Sequence, residues 1–435
     1  MEPVSVGLWG CVLLVLLLFL GMPITFAMML VGFLGISVLA SVQAALPILA
    51  TTIYGTVSYY AFTIIPLFIL MGGLAENAGI TRELYDSFDK WFRRFPGGLG
   101  IATIVAIAGF SAISGSSVAT SATFAKTVIP EMRRYKYQPT FAAGIVAAGA
   151  TIDFLIPPSL GFVVYGMLTE ASIGKLLVAG ILPGLLLSVL FVAIIVTWVK
   201  MRPSVAPMAS GTVTWKERIA ALKGVWETLV VFLITIGGLY LGFINPTEAG
   251  AIGAMALLLI CLLKRTLTRK GLLDCLFETI RVSVMVLFLV AGANFFSYFL
   301  ALSTLPASVS GWITALGVSK YLVLAIVVLI YLLLGCFLDA VSMMVLTMPV
   351  IFPLTNSLGF DPIWFGVICV LMMNAGLITP PVGLNVYTIA GIVRDVPMRD
   401  VFKGATPFLL AIIATCLVLT LFPQIATFLP ARMGR

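Results

Sequence analysis

The sequence lacks histidine and has few charged side chains. Among its 435 residues, Asp, Glu, Lys and Arg together make up only 10%. The six cysteines are scattered without a Cys-x-x-Cys spacing, so neither a zinc site nor a disulfide framework is indicated. No Gly-x-x-x-x-Gly-Lys sequence occurs, which excludes ATP hydrolysis of the usual Walker type. A serine protease is disfavoured because the nucleophile normally needs a neighbouring base such as histidine.

Hydrophobic residues dominate the chain. They make up 61% of it, against roughly 45–50% in soluble domains, and apolar runs long enough to cross a bilayer recur throughout. The first run is not a cleaved signal peptide, because Glu2 is the only charged side chain ahead of it. The net charge of +8 is interpreted as positive loops on the inner side of a lipid bilayer, and no nucleic-acid partner is expected.

Prolines recur at a constant offset of 223 residues. Composition alone predicts about half a coincident pair at any one offset. Five pairs coincide: Pro23 with Pro246, Pro130 with Pro353, Pro139 with Pro362, Pro157 with Pro380, and Pro158 with Pro381. The chain therefore consists of two copies of one sequence unit, and each copy has a double proline inside an apolar run. In membrane proteins such paired interruptions indicate a transport site.

Basic residues predict how the two copies enter the membrane. Residues 99–130 are flanked on both sides by clusters of Lys and Arg, so both ends are predicted to be cytoplasmic. The Ser114-Gly115-Ser116-Ser117 turn in the middle then indicates a re-entrant helical hairpin. The equivalent residues 321–353 have only Lys320 beside them, so this hairpin is predicted to enter from outside.

The predicted fold is an all-α polytopic membrane protein built from two inverted-topology repeats. Each repeat has about five transmembrane helices and one re-entrant hairpin, and both termini lie outside. The first repeat is residues 1–203, a cytoplasmic linker follows at 204–223, and the second repeat is residues 224–435. An odd number of crossings per copy is what inverts the second copy.

The double prolines suggest an ion site. A proline removes the hydrogen bond to the carbonyl four residues earlier, so the carbonyls of Asp153, Phe154, Gly376 and Leu377 are predicted to be free. Such carbonyls could bind Na⁺, a hard cation, or could be satisfied by Ser, Thr or water at a simple kink. Thr379 is further predicted to cap a helix with Pro380 at its first position.

The hairpin turns supply the polar side chains. The first turn offers five hydroxyl groups, which could bind a ligand or simply allow close helix packing: Ser114, Ser116, Ser117, Thr120 and Ser121. Asp339 in the second turn is interpreted as a ligand for substrate or ion, with a structural cap as the alternative. Asp153 has the same two interpretations. Asn294, Asn374 and Asn385 are weaker candidates, because amides also join membrane helices.

These residues resemble a known family. Gly115-Ser116-Ser117-Val118-Ala119-Thr120, Ile156-Pro157-Pro158-Ser159, Gly335 to Asp339, and Ile378-Thr379-Pro380-Pro381-Val382-Gly383 are similar to the large membrane subunit of tripartite ATP-independent periplasmic (TRAP) transporters. The resemblance covers nearly the whole chain. It implies Na⁺-driven import of a small organic anion, typically a carboxylate or sulfonate, across the bacterial inner membrane by an elevator mechanism. It also implies two separate partners, a small four-helix membrane subunit and a periplasmic substrate-binding protein.

The same resemblance implies where ligands bind. Na⁺ is expected where each hairpin turn meets a broken helix, at Ser114, Gly115, Ser116, Asp153, Pro157, Pro158, Gly335, Asp339, Gly376, Thr379 and Pro380. The substrate is expected between the turns, at Ser116, Ser117, Thr120, Asp339, Ser342 and Asn385. No Lys or Arg lies near either turn, so hydroxyls, backbone amides and helix N-termini are expected to hold the anion. An elevator-type symporter that needs no binding protein, and a channel, remain alternatives.

Overall fold

The computed structural model describes residues 2–208 and 213–433, and all regular elements in these ranges are helical. Residues 209–212 of the predicted linker, together with the terminal residues 1, 434 and 435, lie outside the described residues. The helices of the first range are α1 (Pro3–Phe19), α2 (Ile24–Leu39), α3 (Val42–Ser58), α4 (Ile64–Asn77), α5 (Ile80–Phe92), α6 (Gly98–Ser111), α7 (Ser117–Arg134), α8 (Pro139–Gly149), α9 (Leu160–Thr169), α10 (Ile173–Ala179) and α11 (Ile181–Met201).

The second range repeats this series. Its helices are α12 (Trp215–Ala221), α13 (Trp226–Phe232), α14 (Gly238–Tyr240), α15 (Pro246–Lys264), α16 (Arg269–Ser303), α17 (Leu305–Ala315), α18 (Lys320–Gly335), α19 (Ala340–Ser357), α20 (Pro362–Gly376), α21 (Leu384–Ile392), α22 (Met398–Leu421) and α23 (Gln424–Arg432). Adding 223 to the bounds of α7 gives 340–357, which are the bounds of α19. The helices therefore follow the same offset as the prolines.

Many of the helices are suited to a membrane by length and composition. Six helical stretches of the described residues are long and apolar enough to cross a bilayer, or seven if the bent pair Trp215–Gly224 and Trp226–Tyr240 is one span. Shorter apolar helices, including α1, α2 and α3, account for further predicted crossings. The orientation of each repeat in the membrane, and the repeat boundaries, stay predictions.

Two groups of helices pack within the molecule. In the first group, α16 packs against α2, α3 and α4, and α15 packs against α4. The second group contains the two hairpins, α6–α7 and α18–α19, with the broken stretches α8–α9 and α20–α21. Within it α7 packs on α21 and α19 packs on α9, so each hairpin contacts the broken stretch of the other repeat.

Glycine allows the second group to pack closely. Helices α8 and α22 meet where Gly144 faces Gly404, and a Cβ atom on Gly404 would lie 2.0 Å from the Thr140 carbonyl oxygen. The two groups also meet at glycine, because a Cβ atom on Gly72 of α4 would lie 2.5 Å from the carbonyl oxygen of Ser114. The turn of the first hairpin thus lies directly against the first group.

Candidate functional site

The turn of the first hairpin contacts the first double proline. Gly115 has a φ of +77°, which favours glycine, and a Cβ atom there would lie 2.8 Å from the Pro158 carbonyl oxygen. Helix α7 begins immediately afterwards. Ser116 caps it by accepting a hydrogen bond from the Ala119 amide at 3.4 Å. The structure therefore brings the hairpin turn and the proline break together.

Asp153 is the most unusual polar residue at this junction. It is fully buried in the 3₁₀ turn Ala150–Phe154, and neither carboxylate oxygen has a hydrogen-bond partner among the described residues. The hydroxyls of Ser111, Ser114 and Thr120 and the backbone amide of Ser116 lie close to the carboxylate without reaching hydrogen-bond geometry. Ser114 Oγ and Thr120 Oγ1 lie 3.2 Å apart. A buried carboxylate beside hydroxyl oxygens is the kind of ligand set that a hard cation prefers.

Most of the carbonyls predicted to be free have partners. The Phe154 carbonyl accepts a hydrogen bond from the Ser159 hydroxyl at 2.5 Å. The Gly376 carbonyl accepts one from the backbone amide of Thr379 at 3.2 Å, and the Leu377 carbonyl accepts one from the backbone amide of Asn385 at 3.1 Å. At Phe154 this is the alternative that the sequence left open, a carbonyl satisfied by serine. At Gly376 and Leu377 the prediction of free carbonyls is wrong, because the chain folds back and brings later backbone amides within reach.

The second hairpin packs against its own repeat's broken stretch through two glycines. A Cβ atom on Gly376 would lie 2.5 Å from the Gly335 Cα atom, so the backbones are in direct contact. The amide of Val382, which follows the second double proline, donates to the Cys336 carbonyl at 3.2 Å. This junction is closed by backbone contacts.

The capping role predicted for Thr379 is wrong. Helix α21 begins at Leu384, after Gly383, and Thr379 lies in the irregular connection between α20 and α21. The Thr379 hydroxyl instead donates to the Ala375 carbonyl at 2.6 Å. The backbone between the two helices turns through Gly383, whose φ of +52° favours glycine, and only then resumes a helix. Pro380 therefore precedes the helix and does not begin it.

Asp339 caps helix α19. Its Oδ1 atom accepts hydrogen bonds from the amides of Val341 and Ser342, both at 3.1 Å. This is the structural alternative that the sequence left open, and Ser342 takes part through its backbone. Binding of an ion or substrate by these two residues stays a prediction.

Ser117 and Asn385 join the two repeats. The Asn385 side-chain amide donates to Ser117 Oγ at 2.8 Å and to the Ala147 carbonyl at 3.2 Å. Both Ser117 and Asn385 are buried. Two residues predicted to bind substrate thus contact each other, and they tie the first hairpin to the second broken stretch.

A cavity of about 500 Å³ lies beside the first hairpin turn, between the two helix groups. Ser114, Gly115 and Ser116 line it, whereas Ser117, Thr120, Asp339, Ser342 and Asn385 do not. Helices α4 and α16 supply its other walls with three carboxylates: Glu76, Asp274 and Glu278. Thr123 Oγ1 donates to Glu76 Oε1 at 2.8 Å across this gap.

The wall residues were not predicted from the sequence. Glu76 and Asp274 lie near the ends of long apolar stretches, where a charge is usually a solvated helix end. Their proximity to the first hairpin arises from contacts between helices far apart in the chain. No local sequence pattern therefore predicts that these carboxylates lie near the first hairpin.

Comparison with known proteins agrees with this architecture. Residues 11–425 match the family model described as "Tripartite ATP-independent periplasmic transporter, DctM component". The chain belongs to this family. It is 35% identical to the C4-dicarboxylate TRAP transporter large permease protein DctM of Pseudomonas aeruginosa, over 89% of this chain and 90% of that protein. It is 31% identical to the sialic acid TRAP transporter large permease protein SiaM of Vibrio cholerae, over 95% and 96%.

The family membership confirms the resemblance and the all-α polytopic membrane fold. The crystal structure of the YdaH transporter of Alcanivorax borkumensis has a similar fold, with a TM-score of 0.64 at 17% identity over 99% of this chain and 98% of that chain. This DctM family member is thus a multi-pass membrane transport protein. Its relatives named above are permeases and not enzymes.

Proposed function

We propose that this protein imports a small organic anion together with Na⁺ across the bacterial inner membrane, with a small membrane subunit and a periplasmic substrate-binding protein as partners. The family and the names of its relatives, which include C4-dicarboxylate, sialic acid and isethionate transporters, support a carboxylate or sulfonate substrate. The observation that carries the Na⁺ component is the Asp153 carboxylate, buried without a partner beside the first hairpin turn.

A bound cation would compensate the negative charge of the buried Asp153 carboxylate at this junction. An isolated carboxylate in a low-dielectric interior is unfavourable by many kcal/mol unless it is paired or neutralised. Na⁺ bound by Asp153 and the hydroxyls of Ser114 and Thr120 would remove that penalty. The second proposed Na⁺ position lies at Gly335, Asp339, Gly376 and Thr379, where backbone contacts dominate.

The cavity provides a reason for ion coupling. Its lining contains Glu76, Asp274 and Glu278 and includes no Lys or Arg among the described residues, so it repels an anion on its own. The exposed Ser116 at the start of α7 offers a hydroxyl and a helix N-terminus to the anion. Na⁺ bound nearby would add the missing positive charge, and anion affinity would therefore depend on Na⁺.

The arrangement of helix groups supports an elevator motion. The first hairpin touches the other group at Ser114 against Gly72 and at Thr123 with Glu76, and α19 of the second hairpin packs on α16. The first hairpin is held more firmly to its own group, by Ser117 with Asn385 and by Arg133, which donates to Asp395 at 2.5 Å. This hydrogen bond holds the pKa of the exposed Asp395 carboxyl below its usual range. The hairpin group would therefore move as a unit.

Reconstituted transport tests the proposal. Proteoliposomes would contain this chain, its small subunit and its binding protein, and an inward Na⁺ gradient should drive accumulation of the anion. ATP alone should not. Uptake that continues undiminished when choline replaces Na⁺ would refute ion coupling, and uptake without the binding protein would refute the tripartite assignment.

A further inference from the structure

Helix α12, in the connection between the repeats, presents an apolar stripe to the outside. The stripe continues through the following turn into α13, and its side chains are largely exposed: Trp215 (68%), Ile219 (63%), Leu222 (46%) and Trp226 (53%). Trp215, Ile219 and Leu222 are spaced by four and three residues, so they lie on one face of the first helical segment, and Trp226 begins the next segment. Exposed aromatic and aliphatic side chains in a continuous stripe mark an interaction surface.

The opposite face of α12 is fixed to the protein. The Trp91 indole donates to the Arg218 carbonyl at 3.1 Å, and the Ser87 hydroxyl donates to the Ala221 carbonyl at 2.7 Å. Trp91 and Ser87 belong to α5, which leads from α4 to the first hairpin. Helix α12 is therefore held on α5 by these two hydrogen bonds and by the edge-to-face contact between the Trp215 and Trp91 rings, while the stripe stays largely exposed.

Charge and continuity identify what covers the stripe. Lys216 and Lys223 are exposed beside it. Beyond the bend of 46° that separates the two helical segments, Leu229 and Leu233 of the predicted span are also exposed. The stripe is thus continuous with a lipid-facing helix surface. Tryptophan with flanking lysine is typical of the level of the phospholipid headgroups.

We infer that α12 is an interfacial anchor that binds anionic phospholipid. Trp215, Ile219, Leu222 and Trp226 lie among the acyl chains, and Lys216 and Lys223 contact the negatively charged headgroups. The anchor fixes α5 at the membrane surface and so positions the base of the first hairpin. This inference does not depend on Na⁺ coupling or on the identity of the transported anion.

The test uses the full chain in nanodiscs and phospholipids brominated on the acyl chains, which quench tryptophan fluorescence on contact. Trp215→Phe and Trp226→Phe should each reduce the quenchable fraction of the emission. Trp364→Phe, which removes an indole that is buried inside the protein, should not. Equal quenchable fractions in all three variants would overturn the apolar contact.

Headgroup selectivity is tested with the same signal. Brominated phosphatidylglycerol in a phosphatidylcholine background should quench severalfold more than brominated phosphatidylcholine at the same mole fraction. The double variant Lys216→Gln/Lys223→Gln should lose this preference, and the matched control Lys175→Gln/Lys320→Gln should keep it. Loss of quenching when the small membrane subunit is added would show that the stripe is a protein interface and would overturn the proposal.

Discussion

The two junctions between hairpin and broken stretch are equivalent in the repeated fold but differ in their side chains. At the offset of 223, Ser116 corresponds to Asp339 and Asp153 corresponds to Gly376. The first junction therefore has its carboxylate on the broken stretch and a hydroxyl at the hairpin cap. The second has its carboxylate at the hairpin cap and a glycine on the broken stretch. The carboxylate thus belongs to the broken stretch in the first repeat and to the hairpin in the second.

The remaining side chains increase this difference. Three polar residues of the first turn, Ser114, Ser117 and Thr120, correspond in the second repeat to Phe337, Ala340 and Met343. A repeated fold thus fixes where the backbone passes, while each copy has its own ligands. The first junction combines a buried carboxylate with hydroxyls beside a cavity, and the second is closed by glycine contacts with its carboxylate used as a cap. We expect substitutions at the first junction to affect transport more.

The strongest test asks whether the two hairpins enter from opposite sides. In a chain whose natural cysteines have been replaced, Arg134→Cys should react with an impermeant thiol reagent only from the cytoplasm. Ser357→Cys should react only from outside, because the flanking charges of the hairpins differ. Both positions lie at the base of a hairpin, at the ends of α7 and α19. Labelling of both from one side would contradict the inverted arrangement.

The two carboxylates should differ in their effect on uptake. Asp153→Asn should reduce Na⁺-driven uptake by at least about tenfold, because it removes the charge from a buried ligand. Asp339→Asn should reduce uptake less than Asp153→Asn, because asparagine caps helices nearly as well as aspartate and keeps a neutral oxygen at the second proposed Na⁺ position.

Asp400→Asn, at a half-exposed site where the carboxylate pairs with Lys403, is the control for insertion and assembly. Radiolabelled substrate uptake, normalised to the amount of assembled protein, gives the ranking. Equal losses for Asp153→Asn and Asp339→Asn would indicate that ion binding depends on a carboxylate charge to the same degree at both junctions.

Substitutions of the glycines at the two junctions are expected to have effects of intermediate size on uptake. Gly115→Ala should impair uptake, because the new Cβ would meet the Pro158 carbonyl oxygen at 2.8 Å, whereas Gly359→Ala has a similar φ of +75° and no neighbour within 4 Å. Gly335→Ala should likewise separate the second hairpin from Gly376. Uptake and thermal stability measured together would separate a functional loss from a folding defect. The same loss in Gly359→Ala would attribute the effect of Gly115→Ala to backbone strain alone.

Much of the helical fold could be predicted from the sequence, because apolar runs and the repeated proline spacing are visible in it. The orientation that the flanking charges indicate stays a prediction. The pairing of Ser114-Gly115-Ser116-Ser117 with the first double proline was implied by the family resemblance, in which each hairpin turn meets a broken helix. Hydrogen bonds at the breaks were not predictable. Thr379 fits a helix-start pattern, but the backbone folds back through Gly383 before the helix resumes. The cavity wall at Glu76 and Asp274 arises from contacts between distant helices, which leave no periodic signal.

The smallest effect is expected at Thr379. Its hydroxyl already donates to the Ala375 carbonyl, so only an oxygen lone pair remains for an ion, and Thr379→Val removes that pair while keeping the side-chain shape. The Na⁺ concentration for half-maximal uptake should rise by about two- to threefold, as expected for the loss of one neutral ligand contact. Substrate affinity at saturating Na⁺ should change less. Thr388→Val is a matched control, because the Thr388 hydroxyl makes the same kind of bond, to the Leu384 carbonyl at 2.8 Å. An equal shift in both variants would assign the change to helix packing and would leave the second junction without a role for this hydroxyl in Na⁺ binding.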